Sequence, residues 1–155
     1  MDYKRCSQEG TCRHIEACCE QLLAELNCDF VGLAIQNSDG PDVRWHYAAG
    51  NSNEKYMRIT VRYGKGIAGK VISTGRPMTV EDFPNHITGK VLEYPIMLAE
   101  NLLSAYAVPI QINGMPKGVL LVGNRTKRIF TETEHRVVLL AAKGLEEKLS
   151  SNRRK

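Results

Sequence analysis

Six residues, Gly64-Lys65-Gly66-Ile67-Ala68-Gly69, constrain this chain more than any other stretch. Their G-x-G-x-x-G spacing is that of a dinucleotide-binding turn, in which a pyrophosphate rests on a helix N-terminus. A dinucleotide fold needs that turn in its first strand–helix–strand unit, followed by a full crossover helix and further such units. Here the helix expected after the turn, 67–73, is only about two turns long before Thr74-Gly75-Arg76-Pro77 stops it. A hairpin is expected before the turn and another near the C-terminus. Asp82 stands 18 residues after Gly64, where an acidic ribose ligand would be sought, but the surrounding topology outweighs it. What remains is smaller. Gly64 and Gly66 allow backbone conformations closed to other residues. The helix start presents unpaired N–H groups at Ile67, Ala68 and Gly69, with the positive end of the helix dipole. Such an end can hold an anion, or the glycines can simply make a tight turn with Gly69 packed closely. These residues alone leave both readings open.

Hydropathy patterning supplies the rest of the fold. Cys12, Ile15, Cys19, Leu22 and Leu26 recur at three- and four-residue steps and predict a helix over 11–27. Segments 30–36 and 43–49 read as strands around the turn Asn37-Ser38-Asp39-Gly40. A third strand is expected over 57–62 and a brief one over 78–80, with a loop over 81–89. Residues 90–94 read as helical, and Pro95 opens a second short helix to Glu100. Strands at 104–112 and 118–124 follow, joined by 113–117. Thr131-Glu132-Thr133-Glu134 is a capping box that starts a last helix to about Leu149. Helices flanking a largely antiparallel sheet make this an α+β fold in one domain over 11–150. Residues 1–10 form an N-terminal extension and 151–155 a basic tail.

The chain has 155 residues, 43% of them hydrophobic and 25% charged, with a net charge of +4. A domain of this size buries about 70% of its unfolded surface, so it needs no disulfides. No basic stripe interleaved with aromatics points to nucleic acid. No apolar run approaches the ~20 residues of a membrane span, and the first residues lack the apolar stretch of a signal peptide. A cytoplasmic location is therefore expected. All five cysteines (Cys6, Cys12, Cys18, Cys19 and Cys28) fall in the first 28 residues. Their odd number and the missing export signal argue against a disulfide framework. His14 and Cys18 are spaced i, i+4, but the gaps lack the paired Cys-x-x-Cys of metal or iron–sulfur sites. Cys12 and Cys19 read as small core or interface residues. His86, His135 and Arg136 have no visible acid or nucleophile partner and read as surface residues.

Taken in order, GKGIAGKVISTGRPMTVED, SAYAVPIQINGMPKGVLLVGN and FTETEHRVVLLAAKGLE resemble a GAF domain over about residues 12–149. The resemblance implies a central antiparallel sheet, terminal helices on one face and a small-molecule pocket on the other. Trp45, Lys65–Gly69 and the run EYPIMLAENL further resemble the nitrate-receptor GAF proteins of the bacterial Nre nitrate and oxygen sensing system. That narrower resemblance implies a sensor without catalysis or cofactor. It would bind nitrate and modulate a sensor histidine kinase, which signals to a response regulator. It places Ile67, Ala68, Tyr94, Pro95 and Ile96 around the anion, with Trp45 as a wall or indole donor and Gly64, Gly66 and Gly69 as the supporting turn. The chemistry agrees. Nitrate is a planar, weakly hydrated monoanion, and aligned backbone N–H groups can replace its water. With Pro95 in the first turn of a helix, the N–H of Ile96 is free beside a second helix N-terminus.

Rival functions belong to other classes. Free methionine sulfoxide reduction on a GAF domain needs a thiolate and a resolving thiol, yet no cysteine occurs from Asp29 to Lys155. The same absence removes a cysteine anchor for a bilin chromophore. A cyclic-nucleotide sensor needs a larger pocket and groups that read a base, for which no signature is found. The terminal helices offer a surface for a partner or for a homodimer.

Overall fold

The computed structural model describes residues 9–153. Cys6, the first eight residues of the expected extension and the last two of the tail lie outside them. The elements run α1 (Glu9–Leu26), β1 (Phe30–Gln36), β2 (Val43–Ala49), β3 (Thr60–Val61), α2 (Gly66–Thr74), β4 (Met78–Val80), α3 (Pro95–Ala99), β5 (Ser104–Ile112), β6 (Met115–Asn124) and α4 (Glu132–Arg153). All strand pairings are antiparallel, in one six-stranded sheet of order β3-β2-β1-β6-β5-β4. The α+β expectation holds.

Strand alternation sorts side chains between two cores. Val31, Leu33 and Ile35 of β1 join Val108, Ile110, Leu120 and Val122 beneath α1 and α4. Phe30 and Ala34 join Ala105, Ala107, Val119 and Leu121 on the other face, beneath α2 and α3. The terminal helices therefore cover one face, and the glycine-turn helix with its short companion covers the other.

Two local expectations need correction. The third strand shrinks to Thr60–Val61, because Lys55–Arg58 turns into a 3-10 helix. Asn53 starts that turn by accepting the Lys55 N–H on Oδ1 at 2.8 Å, a local side-chain bond that competes with strand pairing. Strand β6 begins three residues early, at Met115, so the connection to β5 is Asn113-Gly114 alone. Both residues have positive φ, 55° and 81°, as a two-residue hairpin turn matching sheet twist requires.

The capping box forms as read. Glu134 N–H donates to Thr131 Oγ1 at 3.1 Å, and Thr131 N–H to Glu134 Oε1 at 2.8 Å. Arg128 extends it, donating to Glu134 Oε2 at 2.7 Å, to the carbonyl of Leu26, the last residue of α1, at 2.8 Å and to that of Asn27, which follows it, at 3.1 Å. One side chain thus joins the end of α1 to the start of α4. Partial burial opposes the Glu134 charge, but the Thr131 and Arg128 bonds outweigh it and hold the carboxyl below its ordinary range. A carboxylate with a lowered folded pKa stabilises above its unfolded pKa and loses that contribution as pH falls through the folded value. Glu134→Ala is expected to cost about 1 kcal/mol at pH 7. In thermal melts the gap from the parent should close toward pH 2–3; a gap unchanged there would contradict the charge assignment.

Candidate functional site

The site is built on Gly66. Its φ is +65°, a left-handed conformation that glycine adopts without a Cβ clash. A Cβ there would lie 2.2 Å from the Glu93 carbonyl oxygen and 3.9 Å from the Tyr94 Cα. The start of α2 is therefore pressed against the residues that lead into α3. Gly69 makes a second close approach, since a Cβ on it would meet the Arg62 carbonyl oxygen at 2.2 Å. Gly64 closes the turn by donating its N–H to the Gly69 carbonyl at 3.0 Å. The left-handed Gly66 followed by helical residues points successive N–H groups to one side, the geometry of an anion-binding nest. Pro95 is the first residue of α3, so the N–H of Ile96 lies in a first turn without an intrahelical acceptor. Ile67, Ala68, Tyr94 and Ile96 are all buried, at 2%, 1%, 0% and 1% exposure.

Trp45 comes to the same place by a bulge. The β1–β2 register pairs Leu33 with Tyr47 but Ala34 with Trp45, leaving His46 as the extra residue. Without that insertion Trp45 and Tyr47 would share a face. With it, Tyr47 turns to the terminal helices and Trp45 to the cluster holding Ile67, Ala68, Tyr94 and Ile96. Gly32 makes room for the indole: a Cβ there would lie 2.9 Å from the six-membered ring of Trp45. Trp45 is 1% exposed, and its Nε1–H is buried with no hydrogen-bond partner. A buried unpaired donor is costly. Trp45 is thus a core tryptophan with an unused polar end.

Tyr94 is committed differently. Its hydroxyl donates to the Thr88 carbonyl at 2.6 Å, and its ring lies 5.7 Å from that of Phe83. It serves as a wall that ties the loop over 81–94 to the site. Outside the buried residues, Lys65 and Glu93 pair at 3.7 Å. A cleft of about 410 Å³ opens here, lined by Thr60, Val61, Arg62, Lys65, Leu92, Glu93 and Pro95. Of the six expected ligand residues, Trp45, Ile67, Ala68, Tyr94 and Ile96 belong to one buried cluster, and Pro95 lines the cleft.

The His46 bulge and the close packing at Gly32 have no local sequence signature. Nor do Glu100 and Arg125, whose contact spans distant segments. His135 is not a plain surface residue: its ring stacks on Tyr106 at 3.9 Å and its Nε2 is buried.

The described cysteines lie away from this region. Cys12, Cys18, Cys19 and Cys28 belong to the core under the terminal helices. Burial, with smaller contributions from Cys18, Glu16 and Glu20, pushes the Cys19 thiol up to about 12. Burial likewise raises Cys28 to about 11, against a lowering by Arg128. Such thiols carry little thiolate at neutral pH. Among the described residues, no group of three or more His, Cys, Asp or Glu is arranged to hold a metal, and no helix is long and apolar enough to cross a membrane.

The GAF domain family model matches residues 15–146. The chain belongs to the GAF domain family. It is similar to a hypothetical protein from S. aureus, with 33% identity and a TM-score of 0.68, covering 75% of this chain and 96% of that one. It is similar also to a mutated NreA protein from Staphylococcus aureus, altered in its nitrate binding site. There the identity is 31% and the TM-score 0.69, with 77% of this chain and 92% of that one covered. A free methionine-R-sulfoxide reductase from Neisseria meningitidis shares the GAF fold at 19% identity and a TM-score of 0.76, over 92% of this chain and 79% of that one. No curated protein sequence matches this one.

The close approach at Gly66 gives a direct check. Gly64→Ala meets only an unfavourable φ, since nothing lies within 4 Å of a Cβ there, and should cost about 1 kcal/mol. Gly66→Ala adds a backbone clash and should cost more, roughly 2–4 kcal/mol. Denaturant titration of both variants would read the difference; equal costs would mean that α2 and α3 are not held in contact.

Proposed function

We propose that this GAF domain is a cytoplasmic receptor for nitrate that modulates a partner sensor histidine kinase and performs no catalysis. The observation that carries the reading is the buried, unpartnered Trp45 Nε1–H, in one cluster with the first residues of α2 and α3. Nitrate enters beneath Lys65 and Glu93 and takes hydrogen bonds from the N–H groups of Ile67, Ala68 and Ile96 and from the Trp45 indole. Tyr94 and Pro95 close the cavity, and Gly64, Gly66 and Gly69 shape its turn. The planar anion offers acceptors around its whole edge, so donors from three elements can be satisfied without a buried Arg or Lys. Similarity to the NreA protein altered in its nitrate binding site supports the choice of ligand.

Signalling follows if the ligand prefers one of two conformations, because equal affinity for both would transmit nothing. The segments ordered by the anion are 64–69 and 81–100. The kinase, or a second copy in a homodimer, meets the terminal helices, where Leu139 and Leu140 are 41% and 70% exposed.

Calorimetric titration with nitrate, and with sulfate, nitrite and a cyclic nucleotide alongside, tests the reading. One saturable site for nitrate and none for sulfate is expected. Trp45→Phe keeps the ring and removes the donor, and should weaken nitrate about tenfold or more. Trp45→Ala weakens it too, with a core cost of about 3–5 kcal/mol. Ala68→Glu should abolish binding by placing a carboxylate at the anion. Nitrate silence with a nucleotide response would leave the fold and overturn the function.

A further inference from the structure

Glu100 is a carboxylate that nothing in the proposed ligand contacts explains. It follows the last residue of α3 and is 0% exposed. Its Oε1 accepts three hydrogen bonds: from the Ser52 N–H at 2.9 Å, the Ser52 Oγ at 3.1 Å and the Arg125 guanidinium at 2.5 Å. Its Oε2 is buried without a partner. A buried carboxylate satisfied on one oxygen only is a poor stabilising device, because its desolvation is not fully offset.

What the arrangement does is fix positions. Arg125 Nε donates to the Glu100 backbone carbonyl at 2.9 Å, so one guanidinium holds both ends of the same residue. The guanidinium also donates to the Gly50 carbonyl at 3.2 Å, and the Arg125 backbone N–H donates to Asp29 Oδ2 at 2.7 Å. Gly50 and Ser52 follow the end of β2, the strand that carries Trp45. Helix α3 has five residues, far fewer than the roughly 12 that a helix needs to hold itself. Its place is therefore set from outside. Gly66 presses on the residues before its start, and Glu100 anchors its end. Ile96 lies four residues before Glu100, and the Glu100 N–H donates to the Ile96 carbonyl at 3.1 Å. A shift of Glu100 is carried through that single turn to Ile96.

We infer that Glu100, held by Ser52 and Arg125, is a positioning residue that sets the start of α3 against the strand bearing Trp45. This rests on the anion reading above: Glu100 would fix the spacing between two of its donors, the Ile96 N–H and the Trp45 indole, without touching the ligand. The anchor also reaches the start of β1 through Asp29, so the position of α3 is registered beside the end of α1.

The test compares the full chain with Glu100→Gln and Ser52→Ala, by nitrate calorimetry and by amide hydrogen exchange without ligand, well below each melting temperature. Glu100→Gln should weaken nitrate between about threefold and thirtyfold. Exchange should quicken at 50–53 and 96–102 and stay at parent rates in α2. Ser52→Ala, which removes one neutral donor, should show the same pattern more weakly and serves if Glu100→Gln fails to fold. A folded variant that melts lower yet binds nitrate as the parent does would overturn the proposal, since the residue would then be merely structural. If the parent itself ignores nitrate, the anion reading falls while the exchange data still decide: quickened exchange confined to those segments keeps Glu100 as the positioner of α3, and unchanged exchange removes it.

Discussion

The contact between Gly66 and the Glu93 carbonyl is the constraint on which the face covered by α2 and α3 depends. A single absent methyl group lets α2 begin where the chain enters α3, and any Cβ at that point would strike backbone. Two helix starts, each with N–H groups that have no acceptor in their own helix, are thereby brought together from segments about 30 residues apart in sequence. The G-x-G-x-x-G spacing thus serves close packing in place of a crossover to a parallel strand. Gly69 against Arg62 seats the same turn on the sheet edge.

The two faces of the sheet divide the work. Terminal helices α1 and α4 bury a continuous apolar core against one face and are joined at their ends by Arg128. The other face is covered by short elements, α2 and α3, that depend on tertiary contacts for their position. A site made of short, externally anchored pieces can respond to a small ligand, while the larger core keeps the fold fixed. The His46 bulge connects the two faces, turning Tyr47 toward one core and Trp45 toward the other within three residues.

Much of this was legible in the chain. Periodicity located α1, β1, β2 and β5, and the Thr131–Glu134 capping box marked the start of α4, because these signals are local. The helix starts at Gly66 and Pro95 were also readable, from glycine spacing and from proline chemistry. The Lys55–Arg58 turn was not, since alternating residues over 57–62 mimic a strand while the turn is held by the Asn53 side chain and by the Met57 and Ile59 backbone bonds. The role of Gly32 was hidden because it depends on a ring from another strand. The Glu100–Arg125 pair was hidden for the same reason: a sequence states neither burial nor a partner 25 residues away. The face on which Trp45 lies follows from the family resemblance and not from strand alternation, because a bulge leaves no fixed residue signature.

Trp45 is the sole tryptophan of the chain, so its indole N–H gives a single, isolated side-chain signal. The most direct test of the anion site follows that signal by nitrogen–proton correlation NMR while nitrate is added, with sulfate as the control. With nitrate on the Trp45 indole, the indole proton should shift downfield, saturate at one nitrate per chain and stay in place with sulfate. An indole signal that stays in place while nitrate reaches saturation elsewhere on the protein would contradict that placement.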